Sequence, residues 1–107
     1  MRILFDQGTP VPLRSVLGGH WVETAFERGW GDLDNGQLLV AAESEGFELL
    51  VTTDQNLRYQ QKLTGRRISI LVLTTTSWPR IRQHTDLVAA VIDGLQASQY
   101  RELSFPK

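Results

Sequence analysis

The sequence predicts an α/β domain built on a five-stranded, mostly parallel sheet. Two observations carry that reading. Short apolar runs of strand length, Ile3 to Phe5, Leu49 to Thr53 and Ile68 to Leu73, alternate along the chain with segments of helical spacing. Crossovers of that kind are right-handed and make the joined strands parallel. The 107 residues, 41% of them hydrophobic, suffice for one modest core, so residues 1–107 read as a single domain.

The elements follow in order. The first strand is Ile3-Leu4-Phe5, stopping at Asp6. Thr9 is placed to cap a helix with Pro10 at its first position, where a missing N–H is harmless. Leu13, Val16 and Leu17 give that helix one apolar face, and Gly18-Gly19 ends it. Trp21 to Thr24 reads as a short second strand, and Ala25 to Leu33, with Gly29 and Gly31 around Trp30, as a loop. Asp34 caps the next helix, with Gln37 in the capping-box position, Leu38, Leu39, Ala41 and Ala42 as the buried stripe and Gly46 as the stop.

The third strand, Leu49 to Thr53, is apolar without a break before its threonines, as befits a central strand covered on both faces. A basic helix from about Asn56 to Leu63, then Gly65, leads into the fourth strand. The last helix starts near Pro79 and buries Ile81, Val88, Val91, Ile92 and Leu95. Tyr100 to Phe105 alternates as an edge strand that Pro106 ends. The strand order that follows is 2-1-3-4-5, with strands one and three adjacent at the switch point, where open α/β sheets bind their ligands.

At that edge two carboxylates end neighbouring strands, Asp6 after the first and Asp54 after the third, and Thr74-Thr75-Thr76 end the fourth. Strands lie about 4.8 Å apart, so the carboxylates approach to about 6 Å and repel by roughly 3 kcal/mol at an effective dielectric near 20. A divalent cation held by carboxylate and water oxygens relieves that repulsion; so does a raised pKa, or side chains turned apart. Asp34, by contrast, is fully explained as a cap.

Composition excludes several classes. There is no cysteine, hence no disulfide, zinc-thiolate site or cysteine nucleophile. No Gly-x-Ser-x-Gly elbow, Gly-x-Gly-x-x-Gly fingerprint or Walker loop occurs. His20 opens the second strand away from the carboxylates and reads as structural, and His84 has no partner at ligand spacing. Trp21, Trp30 and Trp78 read as core or loop anchors. The first apolar run is too short for a signal peptide, and no stretch approaches the roughly 18 apolar residues of a membrane span, so the expected location is the cytoplasm.

The net charge of −1 hides a separation. Glu23, Glu27, Asp32, Asp34, Glu43, Glu45, Glu48 and Asp54 crowd residues 23–54, whereas residues 55–85 hold no acid and carry Arg58, Lys62, Arg66, Arg67, Arg80 and Arg82. That basic run is either a solvated face or a polyanion-binding side next to an acidic site.

Asp6 after the first strand, the helix start Asn35-Gly36-Gln37-Leu38-Leu39, and Thr53-Asp54-Gln55-Asn56-Leu57-Arg58-Tyr59-Gln60-Gln61 together resemble the compact bacterial PIN-like domains related to VapC-type toxins. The resemblance covers nearly the whole chain. It implies a Rossmann-like, three-layer PIN-type fold, RNA cleavage dependent on Mg2+ or Mn2+, and a small cognate antitoxin as partner, with a homodimer as the other candidate assembly. Asp6 and Asp54 match the metal-binding acids, and Asn56 matches a position occupied by Asp or Asn in related proteins. Relatives commonly place a further acid at the helix start where this chain has Asn35 and Gln37, leaving Asp34 or Asp32 to serve.

The leading expectation is thus a metal-dependent endoribonuclease, the toxin of a toxin–antitoxin pair. Asp6 and Asp54 hold the metal, Asn56 and Asp34 orient water, and Arg58, Lys62, Arg66, Arg67, Arg80 and Arg82 hold the RNA backbone. A catalytically silent RNA- or protein-binding module is the alternative. A phosphoacceptor receiver-like domain with Asp54 as acceptor ranks third, since it would need an acid paired with Asp6 and a final helix.

Overall fold

A computed structural model describes residues 1–60, 63 and 65–106. The five strands are β1 (Arg2–Phe5), β2 (Trp21–Thr24), β3 (Leu49–Thr52), β4 (Ser69–Leu73) and β5 (Tyr100–Leu103), in the order β2-β1-β3-β4-β5. Every pairing is parallel, including β4 with β5, so the sheet is parallel throughout. The helices are α1 (Asn35–Ser44), α2 (Leu57–Gln60), α3 (Trp78–Arg82) and α4 (Thr85–Gly94).

Alternation along the strands divides the core into two layers, because successive side chains leave a strand on opposite faces. Ile3, Phe5, Leu49, Val51, Leu71 and Leu73 pack against Leu13, Leu17, Ile81, Val88 and Ile92. Leu4, Leu50, Ile70 and Val72 pack against Leu38, Leu39 and Ala42 of α1 and Leu57 of α2. The result is three layers, with helices on both faces of the sheet. β1, β3 and β4 have no solvated face, which is why their sequences are almost uniformly apolar.

Three expected helices differ. Of the helix expected from about Asn56 to Leu63, α2 covers Leu57–Gln60; Leu63 is not helical, and residues 61 and 62 lie outside the described residues. Val11–Val16 forms a 3-10 helix, and its N-cap is Pro10 in an extended conformation rather than Thr9. Thr9 is buried, and its hydroxyl turns back to Asp6 and to the Val51 carbonyl. The single helix expected after Pro79 is two, α3 capped by Ser77 and α4 entered through His84, whose φ of −132° breaks the helical path. Ile81, Val88 and Ile92 are still buried, as the spacing requires. α1 starts as expected: Asp34 accepts from the Gln37 N–H at 2.8 Å while Gln37 Oε1 accepts from the Asp34 N–H at 3.0 Å. It ends at Gly46, whose φ of 81° suits glycine, and the chain turns into β3.

Candidate active site

The first two carboxylates stand where the strand ends put them. β1 and β3 are neighbours in register, Phe5 opposite Val51, and the Asp6 N–H continues the ladder to the Val51 carbonyl at 3.1 Å. Asp6 and Asp54 therefore share the carboxyl edge of the sheet. Among the described residues no group of three or more His, Cys, Asp or Glu side chains forms a metal cluster.

Two threonines organise the acids. The Thr9 hydroxyl lies 2.7 Å from Asp6 Oδ1 and 2.8 Å from the Val51 carbonyl oxygen. The Thr52 hydroxyl donates to Asp6 Oδ2 and accepts from the Asp54 N–H at 3.0 Å, so one side chain joins the two acidic residues. Beneath them Gly8 admits the Thr53 hydroxyl; a Cβ there would collide with Thr53 Oγ1. Burial pushes the Asp6 carboxyl above its ordinary value of 3.8, against the opposing effect of Thr52, Thr9 and the backbone N–H groups of Gly8 and Thr9. The Thr9 hydroxyl has one proton and two acceptors in reach, Asp6 Oδ1 and the Val51 carbonyl oxygen.

Asp54 is held differently. Its Oδ1 accepts from the Asn56 backbone N–H at 2.9 Å, and its Oδ2 accepts from Asn35 Nδ2 at 2.6 Å. The side chain from α1 that reaches the acids is thus Asn35, the first residue of the helix. Asp34, one residue earlier, caps the helix through Oδ1. Asn56 acts on Asp54 through its backbone. Asn35 offers an amide hydrogen where a carboxylate would offer an oxygen, and this relieves the charge on Asp54 without a cation.

A small hard cation nevertheless fits the donor chemistry. Each of the four carboxylate oxygens is turned toward a hydrogen-bond donor, and a carboxylate oxygen can bind a cation as well as accept such a bond. All the donors are oxygens, and magnesium is usually bound through only one or two carboxylates, with water and substrate phosphate completing its shell.

The described basic residues are divided between the two edges of the sheet. Arg58 belongs to α2, which follows the carboxyl end of β3, and Arg80 and Arg82 to α3, which follows that of β4. Arg66 and Arg67 precede β4 and sit at the opposite edge, where Arg66 pairs with Glu43 at 2.6 Å and the Arg67 N–H also bonds Glu43. Burial alone would raise the Glu43 carboxyl, but the hydrogen bond and charge of Arg66 and the backbone N–H groups of Arg67 and Ile68 hold it below its ordinary range. Arg58 stacks over the Tyr59 ring, 4.7 Å from its centroid, and lies 3.9 Å from Glu102. Lys62 lies outside the described residues.

Sequence reasoning missed Thr9 and Thr52 as members of the site, and named Asn35 with Gln37 only as standing where relatives carry an acid. It had looked to Thr74, Thr75 and Thr76 for hydroxyls, but Thr74 bonds Ser104 and Thr75 caps the Ser77 N–H. One available signal was a polar residue, Thr52, in an otherwise apolar central strand. Of the other singled-out residues, His20 is structural, bridging the Met1 amino group at 3.2 Å and Asp93 at 2.8 Å. Trp30 packs edge-on against Phe47, whereas Trp21 is exposed.

No known protein-family model matches the chain, and no curated protein and no solved structure matches it. The class that fold and site define is therefore an all-parallel, three-layer α/β domain with two carboxylates at its switch point.

Proposed function

We propose that this chain is a metal-dependent endoribonuclease of PIN type, acting as the toxin of a toxin–antitoxin pair in the cytoplasm. The observation that carries the catalytic part is the joining of Asp6 and Asp54 through Thr52 at the edge where neighbouring parallel strands end. The toxin role rests on the resemblance in the segments around Asp6, Asn35 and Asp54.

Asp6 and Asp54 are the residues to hold Mg2+ or Mn2+. When bound, the metal supplies a Lewis acid that polarises the phosphodiester and lowers the pKa of a water. Thr9 and Thr52 fix the Asp6 carboxylate, and the Asn56 N–H and the Asn35 amide fix that of Asp54, so both acids are oriented before substrate arrives. Arg58, Arg80 and Arg82, on helices that follow the carboxyl ends of β3 and β4, attract the RNA backbone through a charge interaction that weakens with salt. No helix among the described residues is long and apolar enough to cross a membrane.

The test is cleavage of single-stranded RNA in manganese by the wild type, Asp6→Asn and Asp54→Asn. The expected result is cleavage by the wild type and loss of at least about a hundredfold in each variant, in line with removing one charge-stabilising group from an active site. Equal residual activity in all three proteins would mean a contaminating nuclease. A second reading, a catalytically silent RNA-binding module, is favoured by one observation, the Asn35 amide that already occupies Asp54 Oδ2 with a hydrogen bond. Metal-independent RNA binding by a wild type that cleaves nothing identifies it.

A further inference from the structure

Beside Asp6 lies a cleft of about 630 Å³, within the size range of ordinary small-ligand sites, between the loop after β1 and the turn after β2. Its walls are the two most exposed apolar side chains of this region, Phe26 at 81% and Val11 at 53% exposure. Isolated exposed aromatics are ordinary, but this one stands on a braced turn. The Thr24 hydroxyl accepts from the Glu27 N–H at 3.0 Å while Glu27 Oε1 accepts from the Thr24 N–H at 2.9 Å, the reciprocal pattern of a capping box. Arg28, Gly29 and Trp30 close the same turn through backbone bonds to Thr24, Phe26 and Ala25. Glu27 is itself clamped by Arg14 in a two-bond pair at 2.8 and 3.2 Å, which ties the turn to the 3-10 helix carrying Val11. The backbone that carries the ring is therefore braced, and the ring is presented to solvent at a cleft that Asp6 also lines.

We infer that this cleft is a nucleobase subsite, in which Phe26 stacks one base of a single-stranded RNA beside the phosphodiester addressed by Asp6 and Asp54. The inference rests on the proposed ribonuclease function and names its substrate contact. Charge selects the occupant. The charge of Arg14, the basic side chain of the lining, is paired with Glu27 through its two terminal nitrogens while its buried Nε has no hydrogen-bond partner among the described residues, and Asp6 and Glu27 disfavour a phosphate, so the cleft suits a flat, uncharged ring rather than the backbone. Such a ring gains stacking energy on Phe26, and base–aromatic stacking is tolerant of sequence. Gln7, whose amide donates to the Gly31 carbonyl at 2.8 Å, and the buried Thr24 complete the polar part of the lining.

The test is binding of a fluorescent single-stranded hexaribonucleotide in EDTA, compared with an abasic hexamer of the same charge. Removing one stacked base should weaken binding by roughly tenfold or more. Wild type is expected to prefer the base-bearing oligomer by about that factor, Phe26→Ala to lose the preference, and Phe26→Trp to keep it. Phe26 is exposed, so the substitutions should leave the melting temperature within a few degrees of wild type, which is checked alongside. Equal affinities of wild type and Phe26→Ala, or an equal loss on the abasic oligomer, would overturn the inference. Absence of binding to either oligomer would also overturn it, leaving the ring as part of a protein contact. Because EDTA removes catalysis from the measurement, a wild type that fails to cleave RNA in manganese but shows the Phe26-dependent preference sinks only the catalytic reading.

Discussion

Replacing Asn35 by aspartate probes the site most directly. In the wild type the Asn35 amide donates to Asp54 Oδ2 at 2.6 Å, a hydrogen bond to a charged group worth about 1.5–3 kcal/mol. Asn35→Asp removes that bond and sets a second carboxylate against the first. At about 4 Å and an effective dielectric near 20, two such charges repel by about 4 kcal/mol. Both residues are half-exposed, so rotation and solvent relieve much of this. The expected net loss at neutral pH in EDTA is about 2–3 kcal/mol, or roughly 10–20 °C in Tm for a domain of this size. Manganese at about a hundred times its Kd returns about 2.7 kcal/mol, close to complete recovery.

Gln37→Glu is the control. Gln37 spends its side chain on the Asp34 N–H, and glutamate accepts that bond equally well, so its Tm with and without manganese should follow the wild type. The assay is thermal unfolding of all three proteins in EDTA and in manganese, followed by RNA cleavage. Asn35→Asp as stable as wild type in EDTA, or gaining no more from manganese than Gln37→Glu does, would refute the reasoning.

Stability without metal should depend on pH through Asp6. Its folded pKa lies above the ordinary value of 3.8, so the native state binds more protons than the unfolded chain. Stability attributable to Asp6 is accordingly greatest below 3.8 and falls as pH rises through the folded pKa. The difference in unfolding free energy between wild type and Asp6→Asn should move in the variant's favour across that window; a difference constant from about pH 4 to 8 would contradict the buried, proton-holding geometry. RNA affinity should separate the arginines by location. Neutralising Arg80 and Arg82 should reduce the steepness of the salt dependence by about two counterion units, whereas Arg66→Gln and Arg67→Gln should leave it nearly unchanged; equal effects of both pairs, read by titration at several ionic strengths, would contradict the split between edges.

Local pattern was enough for much of the fold. Ile3-Leu4-Phe5, Leu49 to Val51 and Ile70 to Leu73 are apolar on both faces, which marks central strands. Asp6 and Asp54 end two of them, so their common edge follows once crossovers are right-handed. The Asp34–Gln37 cap was equally legible, because a capping box is written within four residues. Other features were not local. That the last helix divides at His84 depends on how Ile81 and Val88 meet the sheet, since their spacing alone is compatible with one helix or two.

The site shows the same division more sharply. By itself the sequence determined the fold class, the strand order and the edge on which two carboxylates meet, because these follow from the period and the ends of short apolar runs. Only the tertiary structure decided that Thr9 and Thr52 hold Asp6, that Asn35 rather than Asp34 reaches Asp54, and that Arg66 and Arg67 lie away from Arg80 and Arg82. Each of these contacts joins residues brought together by strand register and helix packing, and no local periodicity encodes which of two adjacent side chains points at a partner across the sheet.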